Sequence, residues 1–493
     1  MKNKSNYLVC KVVVLVLLVV GTRIAAHASS SGLSSQLGHQ RRAALPQSCV
    51  KDVTCDHLGN CWFATWGGIG ALSPQGVWTD FTTSNSSIAN AYCTSVAVDR
   101  AGRVWIAHHL AGVSLLDYNL TLDDRSDDRW LHFTSADGLM DGFTETVTIG
   151  PDGRKWFGHT SGISVLNDGG TPFDKGDDYW IRYSSGSSGV PEGFINAILF
   201  DKNQCVWVAS DFGLSRMCGQ SWKAFESFSY VWDLALDSKG HVWAADAWAG
   251  AGEWTGSEWV VYNAGNSGLP SSSLHALAVD AYDNKWLGAD VGVARLSRLN
   301  DWQVFTAEDD WLGFNEAWSI DFDLLGNAWL GSCSDSGGVS QYALKSAARV
   351  PVFPDTGAHL PAPDGRAKAD FPAGAVNQST VVTYTSATAS NVGDDFHLFS
   401  FDLSAVISGT TTPVTTFAKP YTITVGYLDT EKAGVVQGTL ALYWWNGGGW
   451  ELEPTTAVST QTNTLTATPS HMTLFSVRGQ TKRVFLPVAI QAR

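Results

Sequence analysis

The sequence predicts an all-β protein, a seven-bladed β-propeller followed by a small β-sandwich, and three observations carry that prediction. A tryptophan returns at Trp62, Trp105, Trp156, Trp207, Trp243, Trp286 and Trp329, at spacings of 43, 51, 51, 36, 43 and 43 residues. Each return sits in one frame: a short apolar strand, an Asp six residues before the Trp (Gly150 in the third copy), a turn, and a glycine-marked loop after it. Asp99-Arg-Ala-Gly-Arg-Val-Trp105 and Asp237-Ser-Lys-Gly-His-Val-Trp243 show it most clearly. Beyond about residue 345 the tryptophans thin, threonine rises, and short alternating stretches appear. A repeat of this period with several strands per unit marks a propeller, and seven copies close a ring.

Taken in chain order, residues 1–28 resemble an export signal: Lys2, Lys4 and Lys11 precede the apolar run Val12–Val20, and Ala26-His27-Ala28 offers a cleavage site. The run is short for a bilayer span, and a retained anchor is the alternative. Residues 29–46 form an N-terminal segment, and the propeller occupies 47–344. The unit that starts at Gly268 shows its four strands plainly, at Leu274–Val279, Lys285–Gly288, Val293–Leu296 and Trp302–Phe305. The fourth-strand pattern Trp-x-x-aromatic recurs as Trp78/Phe81, Trp130/Phe133, Trp180/Tyr183, Trp222/Phe225 and Trp259/Tyr262, but not after Trp329. The seventh blade therefore takes its last strand either from residues 32–46 or from 345–352. A linker is expected at 345–356, a sandwich at 357–480 and an apolar tail at 481–493. Strands of the sandwich are expected at Thr380–Thr385, His397–Leu403, Tyr421–Tyr427, Leu440–Trp444 and Met472–Val477.

Charge and cysteine usage narrow the function classes. Thirty-two basic against 47 acidic residues, with a net charge of −15, make a poor partner for nucleic acid. Beyond Cys10 in the signal, seven cysteines remain, and export would place them in an oxidising compartment. Cys55 and Cys61 flank one hairpin turn, Cys205 and Cys218 straddle another, and Cys333 with Cys49 would join the last blade to the first. No Cys/His spacing suggests zinc.

The unit Leu-Pro-x-Asn/Ser, then Asp-x-x-Gly-x-Val-Trp, then Gly-Val/Leu, then Trp-x-x-Tyr/Phe resembles the two-component regulator propeller repeat over about residues 47–344. Gly150 stands where that repeat has Asp, and Gln204 and Asp283 where it has Gly. The resemblance implies a seven-bladed periplasmic ligand-sensing module whose tryptophans fill the space between blades. No kinase segment follows Arg493, so the signalling half is not implied with it. The stretch from Ala362 to Val376 is similar to the opening of ZU-type sandwiches, which implies an interaction module without catalytic residues.

Function is expected where the repeat stops repeating. Eleven residues before each Trp stand Lys51, Thr94, Glu145, Asn196, Trp232, His275 and Trp318. Just after the Trp strand stand Trp66, His108, His109, His159, Asp211, Asp246 and Asp290. Both sets are expected at the channel mouth, where indoles, imidazoles and carboxylates suit a small molecule, a glycan or a protein ligand. His108 and His159 occupy equivalent places in adjacent blades, and with Glu145 they are candidate metal ligands. Matching insertions at Asp117–Arg129 and Asn167–Tyr179 hold Asp123, Asp124, Asp127 and Asp128, and Asp168, Asp174, Asp177 and Asp178, a candidate Ca²⁺ ligand density on the opposite face. No nucleophile elbow or phosphate loop stands out, so a non-catalytic exported binding protein is the leading expectation. Two alternatives stay open. The Asp-x-x-Gly-x-Val-Trp repeat resembles that of the streptogramin B lyases, which implies His275 and Glu145 as weak analogues of a Mg²⁺-dependent pair; the other is a purely structural scaffold.

Overall fold

The computed structural model describes residues 45–481 except 186–188, 310–311, 335–336, 388–395 and 437. The export signal, nearly all of residues 29–46 and the tail beyond Thr481 lie outside the described residues. The described chain is all β, with two short 3₁₀ turns at Lys175–Asp177 and Glu431–Gly434. Six antiparallel sheets of four strands and one of three follow one another up to Tyr342, each strand pairing with the next in sequence. The unit from Leu274 runs Leu274–Val279, Lys285–Ala289, Gly292–Leu296 and Trp302–Phe305, within a residue of its expected bounds.

Each blade is fixed by its tryptophan. The indoles are between 0 and 6% exposed and fill the space between neighbouring sheets. In six blades the indole N–H donates to the Asp six residues earlier, as from Trp62 to Asp56 (3.0 Å), Trp207 to Asp201 (3.0 Å) and Trp286 to Asp280 (3.0 Å). The other oxygen of that Asp accepts two backbone N–H groups of the turn, for example Leu58 and Asn60 on Asp56. One side chain thus ties the turn to the core. In blade 3 Gly150 replaces it, and Trp156 Nε1 is buried without a partner. The turn demands a left-handed residue three before each Trp. Five blades place Gly there, while Gln204 (φ 60°) and Asp283 (φ 67°) adopt the same conformation without glycine's freedom.

The ring closes. The inner strand of blade 7, Ser319–Phe322, lies against that of blade 1, Val50–Cys55, and Asp321 accepts a hydrogen bond from Cys55 N at 2.7 Å. The disulfide Cys49–Cys333 joins the same two blades, and Cys55–Cys61 and Cys205–Cys218 cross-link the two expected hairpins. Among the described residues Cys93 is the free thiol, buried within blade 2.

Two boundaries differ from expectation. The segment 345–356 is not a linker, nor does it complete blade 7: Ala347–Val352 pairs with Thr380–Ala387 as the edge strand of the second domain. Blade 7 shows three strands among the described residues, with Leu45 packed in the core shared by blades 7 and 1. The second domain is a sandwich of six- and five-stranded sheets around a continuous apolar core that includes Leu360, Phe371, Phe401, Tyr421 and Phe475. It docks on the underside of blade 6. Arg298 reaches Glu431 (2.8 Å) and Gly426 O (3.2 Å), Lys368 reaches Asp301 (3.0 Å), and Asn284 donates to Asp364 O (3.0 Å). The turn within the ZU-like segment, Ala362–Arg366, is thus a docking element, with Arg366 stacked over Tyr282.

Candidate functional site

The seven residues eleven before each Trp meet in one place. Lys51, Thr94, Glu145, Asn196, Trp232, His275 and Trp318 all line a cavity of about 520 Å³ along the ring axis. A bulge explains why. In blades 1 to 6 the pairing of the inner strand with its neighbour slips by one residue, as between Val50 and Asp52 or Val231 and Asp233, and the skipped residue is this one each time. A bulged residue leaves the ladder, and its side chain is re-aimed, here into the channel.

One side of the mouth is an aromatic cluster. Trp232 and Trp318 meet edge to face at 5.1 Å, and His275 stacks on Trp318 at 4.5 Å and 16°. Lys51 Nζ lies 4.2 Å over the Trp318 ring and 5.5 Å from that of Trp232, a cation–π cage closed by the protein's own lysine. Burial holds the Lys51 ammonium below its ordinary range, against the pull of Glu145 and Asp52. Burial likewise lowers His275, whose Nδ1 has no partner.

The other side opens into a second cavity of about 370 Å³, walled by Trp66, Tyr92, Phe194, Tyr230 and Trp232 with Glu145, Asn196 and Asp211 between them. Glu145 is held by His109 Nδ1 at 2.5 Å, and His109 stacks on Phe194. Asp211 accepts from Asn196 Nδ2 at 3.0 Å, and burial beside Asp211 pushes the Tyr230 hydroxyl up to about 12. Trp66 and Tyr92 are 43% and 49% exposed, so the wall is wet on its outer side.

Three expected mouth residues are elsewhere. His108, His159 and Asp246 are fully buried, because the last position of the Trp strand turns into its own blade. His108 Nε2 pairs with Ser114 Oγ at 2.7 Å, and burial pushes its imidazole down to about 3. His159 faces Thr144 and Asp141, while Asp246 accepts four backbone N–H groups from Ser229, Tyr230, Trp248 and Ala249. These side chains cap the loop rather than face the ligand space. His108, His159 and Glu145 therefore form no metal set. Asp290 is exposed on the mouth face and lines neither cavity.

The acidic insertions also spend their oxygens locally. Asp124 caps Ser126, Asp127 accepts from Asn119, Asp174 caps Gly176, Asp177 accepts from Thr171, and Asp168 pairs with Lys155. Burial pushes Asp128 and Asp178 up to about 6. Among the described residues, none of the eight, Asp123 included, joins a three-ligand group of metal-binding spacing.

Sequence reasoning missed Tyr92, Phe194 and Tyr230. They stand two residues before Thr94, Asn196 and Trp232, and Phe143 stands two before Glu145, so blades 2 to 5 carry an aromatic at one shared offset. That offset was a readable signal.

The fold has known counterparts. The extracellular domain of a protein described as a hybrid two component system from B. thetaiotaomicron superposes with a TM-score of 0.52 at 14% identity, covering 74% of this chain and 58% of that one. Virginiamycin B lyase from Staphylococcus aureus superposes at 0.47 and 14% identity, over 60% of this chain and 95% of that one. This chain thus spans little more than half of the first of these proteins. No protein-family model and no curated protein sequence matches the chain.

Proposed function

We propose that this chain is an exported, non-catalytic binding protein whose propeller holds a small neutral saccharide, or a ligand of similar shape, at the channel mouth. The observation that carries this reading is the cavity of about 370 Å³ whose walls alternate aromatic faces with hydrogen-bonding groups. Flat apolar sugar faces stack on Trp and Tyr rings, and their hydroxyls need acceptors and donors such as Glu145, Asp211 and Asn196. Cavities of roughly 300–1,000 Å³ are the ordinary size for small-ligand sites. Three disulfides support an oxidising compartment. Likeness to the extracellular domain of a hybrid two component system supports the fold, and a sensor-like role is part of the proposal rather than a consequence of it.

A glycan screen by thermal shift, followed by calorimetry, tests the reading. Wild-type protein is expected to bind a neutral oligosaccharide saturably, and Tyr230→Ala or Trp232→Ala to weaken it at least tenfold. Saturable binding that is unchanged in both variants would place the site elsewhere. A screen with no hit across neutral glycans would sink the saccharide assignment.

A further inference from the structure

Blade 5 departs from the repeat at two positions, and both departures converge on one carboxylate. Two residues before each Trp, blades 1, 6 and 7 place an asparagine whose Nδ2 donates to the repeat Asp, at 3.1, 2.7 and 2.9 Å. Blade 2 uses Arg103 Nε on Asp99 at 2.7 Å. Blade 5 has His241 there, and its Nδ1 stands 3.8 Å from Asp237 Oδ2, too far for a hydrogen bond. Opposite Trp243 on the next strand stands Glu253, where the other blades carry alanine, leucine, valine, arginine or glutamine. Glu253 Oε1 lies 2.7 Å from the same His241 Nδ1, and its Oε2 is steadied by Tyr262 O–H at 2.9 Å.

One nitrogen and two carboxylate oxygens therefore face a common point, with all three atoms within 4.8 Å of one another. Among the described residues no other three such side chains do so. Asp237 is oriented beforehand: Oδ1 accepts the N–H groups of Lys239 and His241 at 3.0 and 2.8 Å, and Oδ2 keeps a long bond of 3.3 Å from Trp243 Nε1. The neighbouring cation, Lys285, is held by Asp283 at 2.9 Å and stands 3.6 Å from Asp237. Asp237 and Asp283 share that lysine; of the other cations lining the cleft, Arg298 is taken up by Glu431 at 2.8 Å, and Lys239 stands beside Asp237 in sequence. The cleft of about 270 Å³ between blades 5 and 6 and the sandwich, walled by Asp237, Glu253 and Lys285 on one side and Asp429 and Thr430 on the other, gives an ion its path in.

We propose that Asp237, His241 and Glu253 form a site for a divalent transition-metal ion, Zn²⁺ by preference, beside the junction of propeller and sandwich. One imidazole and two carboxylates are a borderline-soft N/O donor set. Three protein ligands leave a fourth tetrahedral position for water from the cleft. A Ca²⁺ ion would want six or more oxygens, which the site does not offer. The ion replaces the hydrogen bond that asparagine supplies elsewhere in the ring, and pins the third strand of blade 5 to the turn before Trp243.

The repeat supplies its own control. His241→Asn introduces the residue that blades 1, 6 and 7 use, so it removes a ligand while supplying the hydrogen bond to the repeat Asp that blade 5 lacks. Glu253→Gln removes the second ligand and keeps an acceptor for Tyr262. Chelator-treated, tag-free full chain is titrated with Zn²⁺ and with Ca²⁺ by calorimetry, and melting is followed with and without Zn²⁺. One equivalent of Zn²⁺ is expected to bind the wild type and raise its melting temperature. Each variant is expected to bind at least tenfold more weakly and to melt, in chelator, within a degree or two of the wild type. Absence of saturable Zn²⁺ binding, wild-type affinity in either variant, or Ca²⁺ binding as tight as Zn²⁺ would each overturn the assignment.

Discussion

Blade 3 lacks the carboxylate that six other blades use, and restoring it is a sharp test of how the repeat is held together. Gly150 occupies the Asp position, and Trp156 Nε1 is buried with no partner. A buried donor left unpaired costs about 1–3 kcal/mol. Gly150→Asp would supply the acceptor and let its second oxygen take turn N–H groups, as Asp56 does for Leu58 and Asn60. Removing a glycine also lowers the entropy of the unfolded chain, by about 0.4–1 kcal/mol at a compatible site. Gly150 is not among the residues with positive φ, so a side chain is conformationally allowed. Against this, the new Cβ would stand 2.9 Å from Asp152 Oδ1 and 3.3 Å from the edge of Phe200. Asp152 is an exposed side chain that can swing away by giving up the Arg154 N–H it accepts at 3.1 Å, a donor the new carboxylate can take over, while Phe200 must yield by a few tenths of an ångström. The expected net gain is about 1–2 kcal/mol, read as a higher denaturant midpoint at unchanged slope. A double-mutant cycle with Trp156→Phe isolates the bond, with an expected coupling of about 1 kcal/mol. In the wild-type background Trp156→Phe should cost less than Trp207→Phe, which breaks the 3.0 Å bond to Asp201. An unchanged or lower midpoint for Gly150→Asp, or a coupling near zero, would refute the idea that the Asp–Trp bond stabilises each blade.

Other expectations follow from the same geometry. Burial, with the charge of Asp52 adding, pushes Asp233 and Asp321 from 3.8 up to about 7. Between those values the folded protein keeps protons that the unfolded chain has lost, so stability falls as pH rises through that window and levels off above it. Because the lowered His275 acts in the opposite sense near its own range, the readout is the difference between wild type and Asp233→Asn. That difference should vary by up to about 1.4 kcal/mol per pH unit between pH 5 and 7, and a flat difference would reject the burial assignment. Opening the Cys49–Cys333 bridge, which spans 284 residues, by a double Cys→Ser change should cost up to about 6 kcal/mol in the chain-entropy model, measured by thermal unfolding without reductant. His108→Ala should lower stability by about 2 kcal/mol and leave mouth binding alone, since it removes a buried partner of Ser114. Trp66→Ala should do the reverse, because the indole is 43% exposed at the rim.

The amino-acid sequence alone determined the fold, because its signals are local and repeated. The Asp-to-Trp offset of six exists so that one turn can bring a carboxylate to an indole N–H, and that geometry is the same wherever the offset recurs. The hairpin cysteines were legible for the same reason. The offset of eleven pointed to the channel residues, but only the tertiary structure showed the bulge that aims them inward. It also decided that His108, His159 and Asp246, on the last residue of a strand, turn into the blade, since one position along a strand reverses the direction of the side chain. The destination of residues 347–352 was likewise beyond local reading: an alternating strand fits either blade 7 or the sandwich, and pairing with Thr380–Ala387 settles it. The meeting of His241 with Glu253 depends on which strands lie side by side, and the docking of Arg298 on Glu431 joins positions 133 residues apart. Periodicity can count blades, whereas what two distant side chains do together is fixed only once the sheets have packed.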